Sequence, residues 1–213
     1  MSAFGVPDIS VTNYVFRGTE QMRDEAILTC GVTGASYTGA TFRDRVERLA
    51  GGLTAAGFGP GQIVALMAPN IPEYAVIFHA VAWAGGTITT INPTYTAPEL
   101  KHQLAHSGAS ILITIPSFLE TATAGAEGTG VTRIAVIGAP GTGGLDALLG
   151  DRMTEQTPVN LEQHVVVLPY SSGTTGLPKG VMLTHRNLVA NLVQADGALT
   201  ISKGETTLSF LGL

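Results

Sequence analysis

Residues 62–91 read QIVALMAPNIPEYAVIFHAVAWAGGTITTI, and this stretch decides the fold class. Its first part, QIVALMA, is a short continuous apolar run, which is typical of a buried strand. Pro72 then stands in the first turn of a helix that is apolar nearly all round, and the run TITTI follows as a second strand. The uncharged stretch is long enough for a membrane-spanning helix, but Gly85 and Gly86 break it. We therefore predict a buried helix that leads into a buried strand.

The alternation of strands and helices continues on both sides of this stretch. Upstream, TFRDRVERLAGGLTAAG has apolar residues at helical spacing, with Thr38 or Thr41 as its cap. Downstream, TAPELKHQLAHSG begins with a capping box formed by Thr96 and Glu99. Further strands are predicted at SILITI, RIAVIG, HVVVLPY and GVMLTH, a helix at RNLVANLVQADGAL and a last strand at TTLSFLGL. Apolar strands that alternate with helices predict a layered α/β fold, with a largely parallel sheet flanked by helices.

The composition excludes several classes of protein. The 213 residues are 13% charged and 45% hydrophobic, with a mean hydropathy of +0.29, which indicates a core-rich chain and not a disordered one. The net charge is −5 and no basic block occurs, so nucleic acid is not an expected partner. The single cysteine, Cys30, cannot form an internal disulfide, and no signal peptide is evident. We expect a cytoplasmic protein.

Residues 171–180 read SSGTTGLPKG and separate two of the predicted strands. Backbone N–H groups in a glycine-rich turn bind anions, hydroxyl groups add donors, and a lysine supplies a mobile positive charge. We therefore predict a phosphate-binding loop whose candidate residues are Ser171, Ser172, Gly173, Thr174, Thr175, Gly176 and Lys179. The loop is not of the Walker A type, because Lys179 is followed by Gly180 instead of Ser or Thr, and by a strand instead of a helix.

The ten residues of this loop match the phosphate-loop motif of the adenylate-forming, AMP-binding superfamily. That superfamily includes acyl-CoA ligases, peptide-synthetase adenylation domains and luciferases. Three wider segments resemble its 4-coumarate–CoA ligase and fatty-acyl-CoA ligase branch: LPYSSGTTGLPKGVMLTHRNLVANL, NPTYTAPELKHQLAHSGASILIT and GLTAAGFGPGQIVALMAPNIPEY. The resemblance extends from about residue 10 to Leu213.

The resemblance implies a two-step reaction. A carboxylate attacks the α-phosphate of ATP in the presence of Mg²⁺, which gives an acyl-adenylate and pyrophosphate, and coenzyme A then displaces AMP to form a thioester. In this family the matching loop holds the β- and γ-phosphates, and Thr174 or Thr175 is implied to lie near the Mg²⁺ ion. The implied substrate is an aryl-propenoic or fatty acid, with coenzyme A as co-substrate.

The resemblance also predicts how much of such an enzyme the chain contains. Residues 1–213 match the N-terminal portion of the AMP-binding domain, and we expect the rest of that domain and the small lid domain to be absent. The 213-residue chain is therefore expected to be inactive by itself. Two other hypotheses remain open: a catalytically silent truncated stub with weak nucleotide binding, and a peptide-synthetase-type adenylation domain.

Other polar and aromatic residues are predicted to have structural roles. His102 and His106 lie four apart on one helix, but Gln103 stands where a zinc protease of the H-E-x-x-H type has its glutamate base. We predict a solvated or half-buried helix face there and no metal site. His185 is expected to pack at the start of a helix, and Trp83 is expected to lie in the core.

Overall fold

The computed structural model describes residues 5–171, 178–198 and 205–207. The helices in these ranges are α1 (Val11–Glu20), α2 (Gly39–Ala55), α3 (Pro72–Trp83), α4 (Ala97–Ser107), α5 (Leu119–Ala126) and α6 (His185–Ala198). The strands are β1 (Ala26–Thr29), β2 (Ser36–Thr38), β3 (Ile63–Met67), β4 (Thr87–Thr90), β5 (Ile111–Thr114), β6 (Arg133–Val136), β7 (Val165–Val167), β8 (Tyr170–Ser171), β9 (Lys179–Gly180) and β10 (Leu183–Thr184).

The main sheet has the strand order β10-β7-β4-β3-β5-β6. Strands β7, β4, β3, β5 and β6 are parallel, and β10 runs antiparallel to β7 at one edge. In the central register, Val64 of β3 lies beside Ile88 of β4 and Ile111 of β5. The predicted layered α/β fold with a largely parallel sheet is confirmed.

Strand β3 is buried on both faces of the sheet. Val64 and Leu66 pack in the core that α1, α2 and α3 form on one face, whereas Ala65 and Met67 pack with α4 and α5 on the other. All four side chains have no exposed surface. This two-sided burial is why the stretch QIVALMA is continuously apolar and does not alternate.

The predicted helix boundaries are confirmed where their capping signals were strong. The Thr38 and Thr41 side chains form a reciprocal capping box at the start of α2. Thr96 is the N-cap of α4, where its backbone N–H donates to Glu99 Oε2 at 2.8 Å. Gly108 ends α4 in the left-handed conformation at φ 74°, which glycine adopts at little cost.

The uncharged stretch forms a helix and a strand, as predicted. Helix α3 ends at Trp83, and β4 begins at Thr87 after the two glycines. Within the described residues, none of the helices combines the length and apolar character that crossing a membrane requires. Trp83 is 3% exposed and donates from Nε1 to the Met153 carbonyl oxygen at 2.7 Å, so its expected core position is confirmed.

The N-terminal helix and hairpin had no counterpart in the sequence predictions. Ser10 caps α1 by accepting from the Asn13 backbone N–H at 3.1 Å. Phe16 of α1 packs against Phe42 and Trp83, with ring centroids 6.2 and 5.1 Å apart. Two of the four buried residues of α1 are threonines, so the spacing of apolar residues alone did not reveal the helix.

The prediction of one continuous strand at GVMLTH is wrong. Gly180 belongs to β9, which pairs with β8, whereas Leu183 and Thr184 form β10 and join the main sheet. Between them Val181 is 43% and Met182 is 71% exposed. Of the last predicted strand, TTLSFLGL, all but the first two residues lie outside the described residues.

Candidate functional site

The strand order brings the carboxyl ends of β7, β4 and β3 to the same edge of the sheet. The chain leaves β3 for β4 on one side, and it then crosses to β5 on the other side of β3. Open parallel sheets bind ligands in the crevice outside the carboxyl ends of the strands, where the direction of winding reverses. The winding reverses between β3 and β5, so the topology predicts a binding site at the carboxyl edge of the sheet beside β3.

A cleft of about 450 Å³ lies at this edge. Ala68 and Pro69 line it after β3, the segment from Thr90 to Pro93 lines it at the end of β4, and Pro169 and Tyr170 line it after β7. The cleft is thus lined by the segments at the carboxyl ends of three adjacent strands. Tyr170 is also the residue that precedes the candidate phosphate loop.

The candidate loop leaves the sheet beside this cleft. Ser171 of β8 and Lys179 of β9 are partners across an antiparallel pair, and both are exposed. Val181 N–H donates to the Pro169 carbonyl oxygen at 2.8 Å and closes the base of the hairpin. The predicted arrangement, a loop that joins two strands, is confirmed at both of its ends. Five of the candidate residues lie outside the described residues: Ser172, Gly173, Thr174, Thr175 and Gly176.

Tyr170 links the base of the hairpin to α4. Its hydroxyl group lies 2.5 Å from Nδ1 of His106, and the two rings meet edge to face at 5.6 Å. Tyr170 is half-buried, and burial raises the pKa of its hydroxyl group. The sequence analysis placed His106 on a helix face but did not predict its contact with Tyr170. The only signal for Tyr170 was its position directly before the loop.

Helix α4 is itself fixed to the end of β4. Gln103 is 2% exposed, and its Nε2 donates to Thr89 Oγ1 at 2.9 Å and to the Thr90 carbonyl oxygen at 3.0 Å. Thr89 Oγ1 in turn donates to the Leu168 carbonyl oxygen at 2.7 Å, just before the hairpin. A chain of hydrogen bonds therefore connects α4, β4 and the segment that leads into the loop.

The His102 and His106 rings lie on the outer face of α4. The rings stack at 6.0 Å with an interplanar angle of 29°. The described part of the chain contains no cluster of three or more His, Cys, Asp or Glu residues that could hold a metal ion.

A second group of histidines lies at the opposite, amino edge of β7. His185 begins α6, is fully buried, and accepts from the Val11 backbone N–H at Nδ1 over 3.3 Å. Its ring stacks on His164 at 5.5 Å, and its Nε2 has no hydrogen-bond partner among the described residues. Burial, with a smaller contribution from His164, lowers the pKa of His185 to about 4. The expected packing role at a helix start is confirmed.

His79 is the other buried histidine of this face. Its Nδ1 lies 3.0 Å from Thr12 Oγ1, and its ring packs edge to face against Phe42. Burial, with a smaller contribution from His185, lowers its pKa to about 4. Both histidines are thus neutral at physiological pH and belong to the packing between α1, α3 and α6.

A larger hollow of about 800 Å³ lies against α2, and it shares no lining residue with the cleft. Each arginine that lines it is already paired with a carboxylate, including Arg43 and Arg152 with Glu47. The Glu47 side chain is only 1% exposed. Because these charges compensate one another, the hollow offers no unpaired cation to a phosphate, and the smaller cleft is the better candidate.

Residues 16–213 match the family model described as AMP-binding enzyme. The chain belongs to the AMP-binding enzyme family. Curated relatives of the chain include 4-coumarate–CoA ligase 5 from Oryza sativa subsp. japonica, which is 39% identical over 90% of the chain and 37% of the relative. Feruloyl-CoA synthase from Amycolatopsis sp is 44% identical over 82% of the chain and 34% of the relative. The chain therefore spans less than half the length of these relatives.

The fold of the chain is also similar to that of solved CoA ligase structures. A long-chain-fatty-acid-CoA ligase from Archaeoglobus fulgidus superimposes with a TM-score of 0.82 at 32% identity, over 90% of the chain and 40% of that structure. The anthranilate CoA ligase AuaEII, in complex with anthranoyl-AMP, has a TM-score of 0.79 at 23% identity, over 92% of the chain and 38% of that structure. At that identity the second match supports the fold alone.

Proposed function

We propose that the chain forms the nucleotide-phosphate-binding part of an ATP-dependent acyl-CoA ligase. The proposed reaction joins a carboxylate to the α-phosphate of ATP with release of pyrophosphate, and then transfers the acyl group to the thiol of coenzyme A with release of AMP. The observation that carries the proposal is the hairpin at the carboxyl edge, where Ser171 and Lys179 face each other across β8 and β9 beside the cleft. The curated relatives are named as ligases or synthases of CoA thioesters.

Each candidate residue has a physical role in this reaction. The Lys179 ammonium group would neutralise phosphate oxygens, and the Ser171 hydroxyl group would donate a hydrogen bond to them. Such groups stabilise the negative charge that develops on the departing pyrophosphate. The roles of Ser172, Gly173, Thr174, Thr175 and Gly176 remain predictions from the motif.

Magnesium fits the donor set of the loop. Mg²⁺ prefers hard oxygen ligands and retains several waters, and Thr174 or Thr175 would supply a hydroxyl oxygen. When bound, the ion supplies neutralisation of the polyphosphate charge. Ser171 and Lys179, at the two ends of the loop, are both exposed.

We further propose that residues 1–213 are the N-terminal portion of the AMP-binding domain, and that the complete enzyme acts in the cytoplasm on an aryl-propenoic or fatty acid. The lengths of the relatives support the first point, since the chain spans 37% of one 4-coumarate–CoA ligase and 40% of another. The 213-residue chain alone should then fail to complete a cycle. Positioning the acid next to the α-phosphate can lower the activation barrier by about 7–11 kcal/mol. The matched segment contains the phosphate loop but no identified acyl site, so this contribution would be missing.

The test is to supply the full-length protein with ATP, Mg²⁺, coenzyme A and a panel of cinnamic and fatty acids. AMP, pyrophosphate and thioester should form in equal amounts with at least one acid. Adenylate formation without release of a CoA thioester would favour a peptide-synthetase-type adenylation domain. Nucleotide binding without turnover would favour the catalytically silent stub, and turnover by the 213-residue chain alone would contradict the proposed domain assignment.

A further inference from the structure

The phosphate hairpin is attached to the rest of the fold through few contacts. Strands β8 and β9 pair with each other and form a separate two-stranded sheet. The direction in which Ser171 and Lys179 point therefore depends on what holds the base of this hairpin. In the described parts of the hairpin, 169–171 and 178–181, the Tyr170 hydroxyl group makes the only side-chain hydrogen bond to another described residue, and its partner is His106.

The Tyr170 ring lies across both strands of the hairpin. Tyr170 is the Cα partner of Gly180, and a Cβ atom at Gly180 would come within 3.3 Å of Tyr170 Cζ and 3.1 Å of Leu168 Cδ1. The absence of a side chain at Gly180 thus lets the ring cover the strand that carries Lys179. A movement of the ring would be transmitted directly to the neighbouring pair, Ser171 and Lys179.

His106 provides a fixed point for this ring. It lies in the last turn of α4, which is anchored by the buried side chains of Leu100 and Leu104. The bonds from Gln103 to Thr89 and Thr90 hold the same helix to the carboxyl end of β4. The position of His106 is therefore set by the main sheet. The short hydrogen bond from His106 to Tyr170 in turn fixes the position of the hairpin.

We propose that His106 and Tyr170 are positioning residues that aim the Ser171 and Lys179 hairpin at the polyphosphate of a nucleoside triphosphate. This inference rests on the proposed function of the loop. Neither residue needs to touch the phosphates, because their effect passes through the backbone of β8 and β9. Loss of the hydrogen bond between them should lower the affinity for Mg·ATP and leave the rest of the fold intact.

The experiment measures KM for Mg·ATP, kcat and the thermal unfolding midpoint in the full-length enzyme. His106→Ala and Tyr170→Phe should each raise KM about two- to tenfold, the range expected for one neutral hydrogen bond, with kcat and the unfolding midpoint close to wild type. The double variant should be no worse than the more affected single variant, because both changes remove the same bond.

Two matched variants separate positioning from packing. His106→Asn keeps a hydrogen-bonding atom at the same number of bonds from Cα as Nδ1, so it should restore most of the lost affinity. His102→Ala removes the stacked ring but not the bond to Tyr170, so it should leave KM within about twofold of wild type. The proposal is overturned if His106→Ala leaves KM unchanged, if the two single effects add, or if His102→Ala raises KM equally.

A Lys179→Ala reference variant distinguishes this inference from the function on which it rests. If Lys179→Ala impairs ATP use but His106→Ala does not, the positioning role is wrong and the proposed function stands. If Lys179→Ala also has no effect, the loop does not hold the phosphates, and the proposed function and this inference both fail.

Discussion

The buried histidines predict a loss of stability in mild acid. The pKa values of His79 and His185 are lowered from 6.5 to about 4, in both cases mainly by burial. The unfolded chain therefore binds a proton at each residue at a pH where the folded chain does not. The stability that these neutral rings contribute is fully present above about pH 6.5, falls as the pH drops towards 4, and changes no further below that.

The size of the effect follows from these two pKa values. Between about pH 8 and about pH 5, each histidine should remove about 2 kcal/mol from the free energy of unfolding. His185→Asn isolates one of the two contributions. An asparagine can still accept from the Val11 backbone N–H at the position of Nδ1, but it does not titrate and has no counterpart of the unpartnered Nε2.

Urea unfolding at the two pH values is the assay. The difference in unfolding free energy between them should be about 2 kcal/mol smaller for His185→Asn than for wild type. Val189→Ala is the matched control, since it removes buried apolar contacts from the same helix without changing a titratable group. It should cost about 2 kcal/mol at both pH values and leave their difference unchanged. Equal pH dependence in wild type and His185→Asn would refute the reasoning.

Two further pairs of variants test the packing. Gly52→Ala should lower the free energy of unfolding by more than about 3 kcal/mol or prevent folding, because its Cβ would lie 1.8 Å from the Leu148 carbonyl oxygen. Gly18→Ala, whose Cβ would have nothing within 4 Å, should instead stabilise α1 by up to about 1 kcal/mol. Thermal unfolding checks both, and similar midpoints would contradict the close contact at Gly52. Glu47→Ala should lower the free energy of unfolding in urea by about 2 kcal/mol, because the buried Glu47 carboxylate pairs with two arginines. Asp44→Ala should lower it by less than about 1 kcal/mol, because the Asp44 side chain is half-exposed. A larger loss at Asp44 would contradict this ranking.

Sequence patterns predicted the elements whose signals are local. The strand β3, the helix α3 and the strand β4 follow from one stretch of apolar residues, because both faces of that layer are buried. The start of α4 follows from Thr96 and Glu99, which interact within a single turn. Such signals depend only on neighbours along the chain.

The remaining features depend on contacts that no local pattern contains. His106 and Tyr170 are 64 positions apart, and Arg152 lies 105 positions from Glu47. The split of GVMLTH into two ladders depends on its pairing with both β8 and β7, which its apolar composition does not show. The loop motif identified Ser171 and Lys179, but the residues that hold their hairpin emerge only from the fold.

The central claim is that Lys179 and its neighbours hold the polyphosphate of ATP. Its most direct test is ATP–pyrophosphate exchange by full-length enzymes carrying Lys179→Ala or Ser171→Ala, with Lys101→Ala as a control that removes the same charge from α4. Lys179→Ala should slow the exchange about 10- to 100-fold, and Ser171→Ala about two- to tenfold, because the lysine removes a full charge and the serine removes one donor of several. Lys101→Ala should resemble wild type. Equal or reversed effects at Lys179 and Ser171 would mean that the lysine does not face the phosphates.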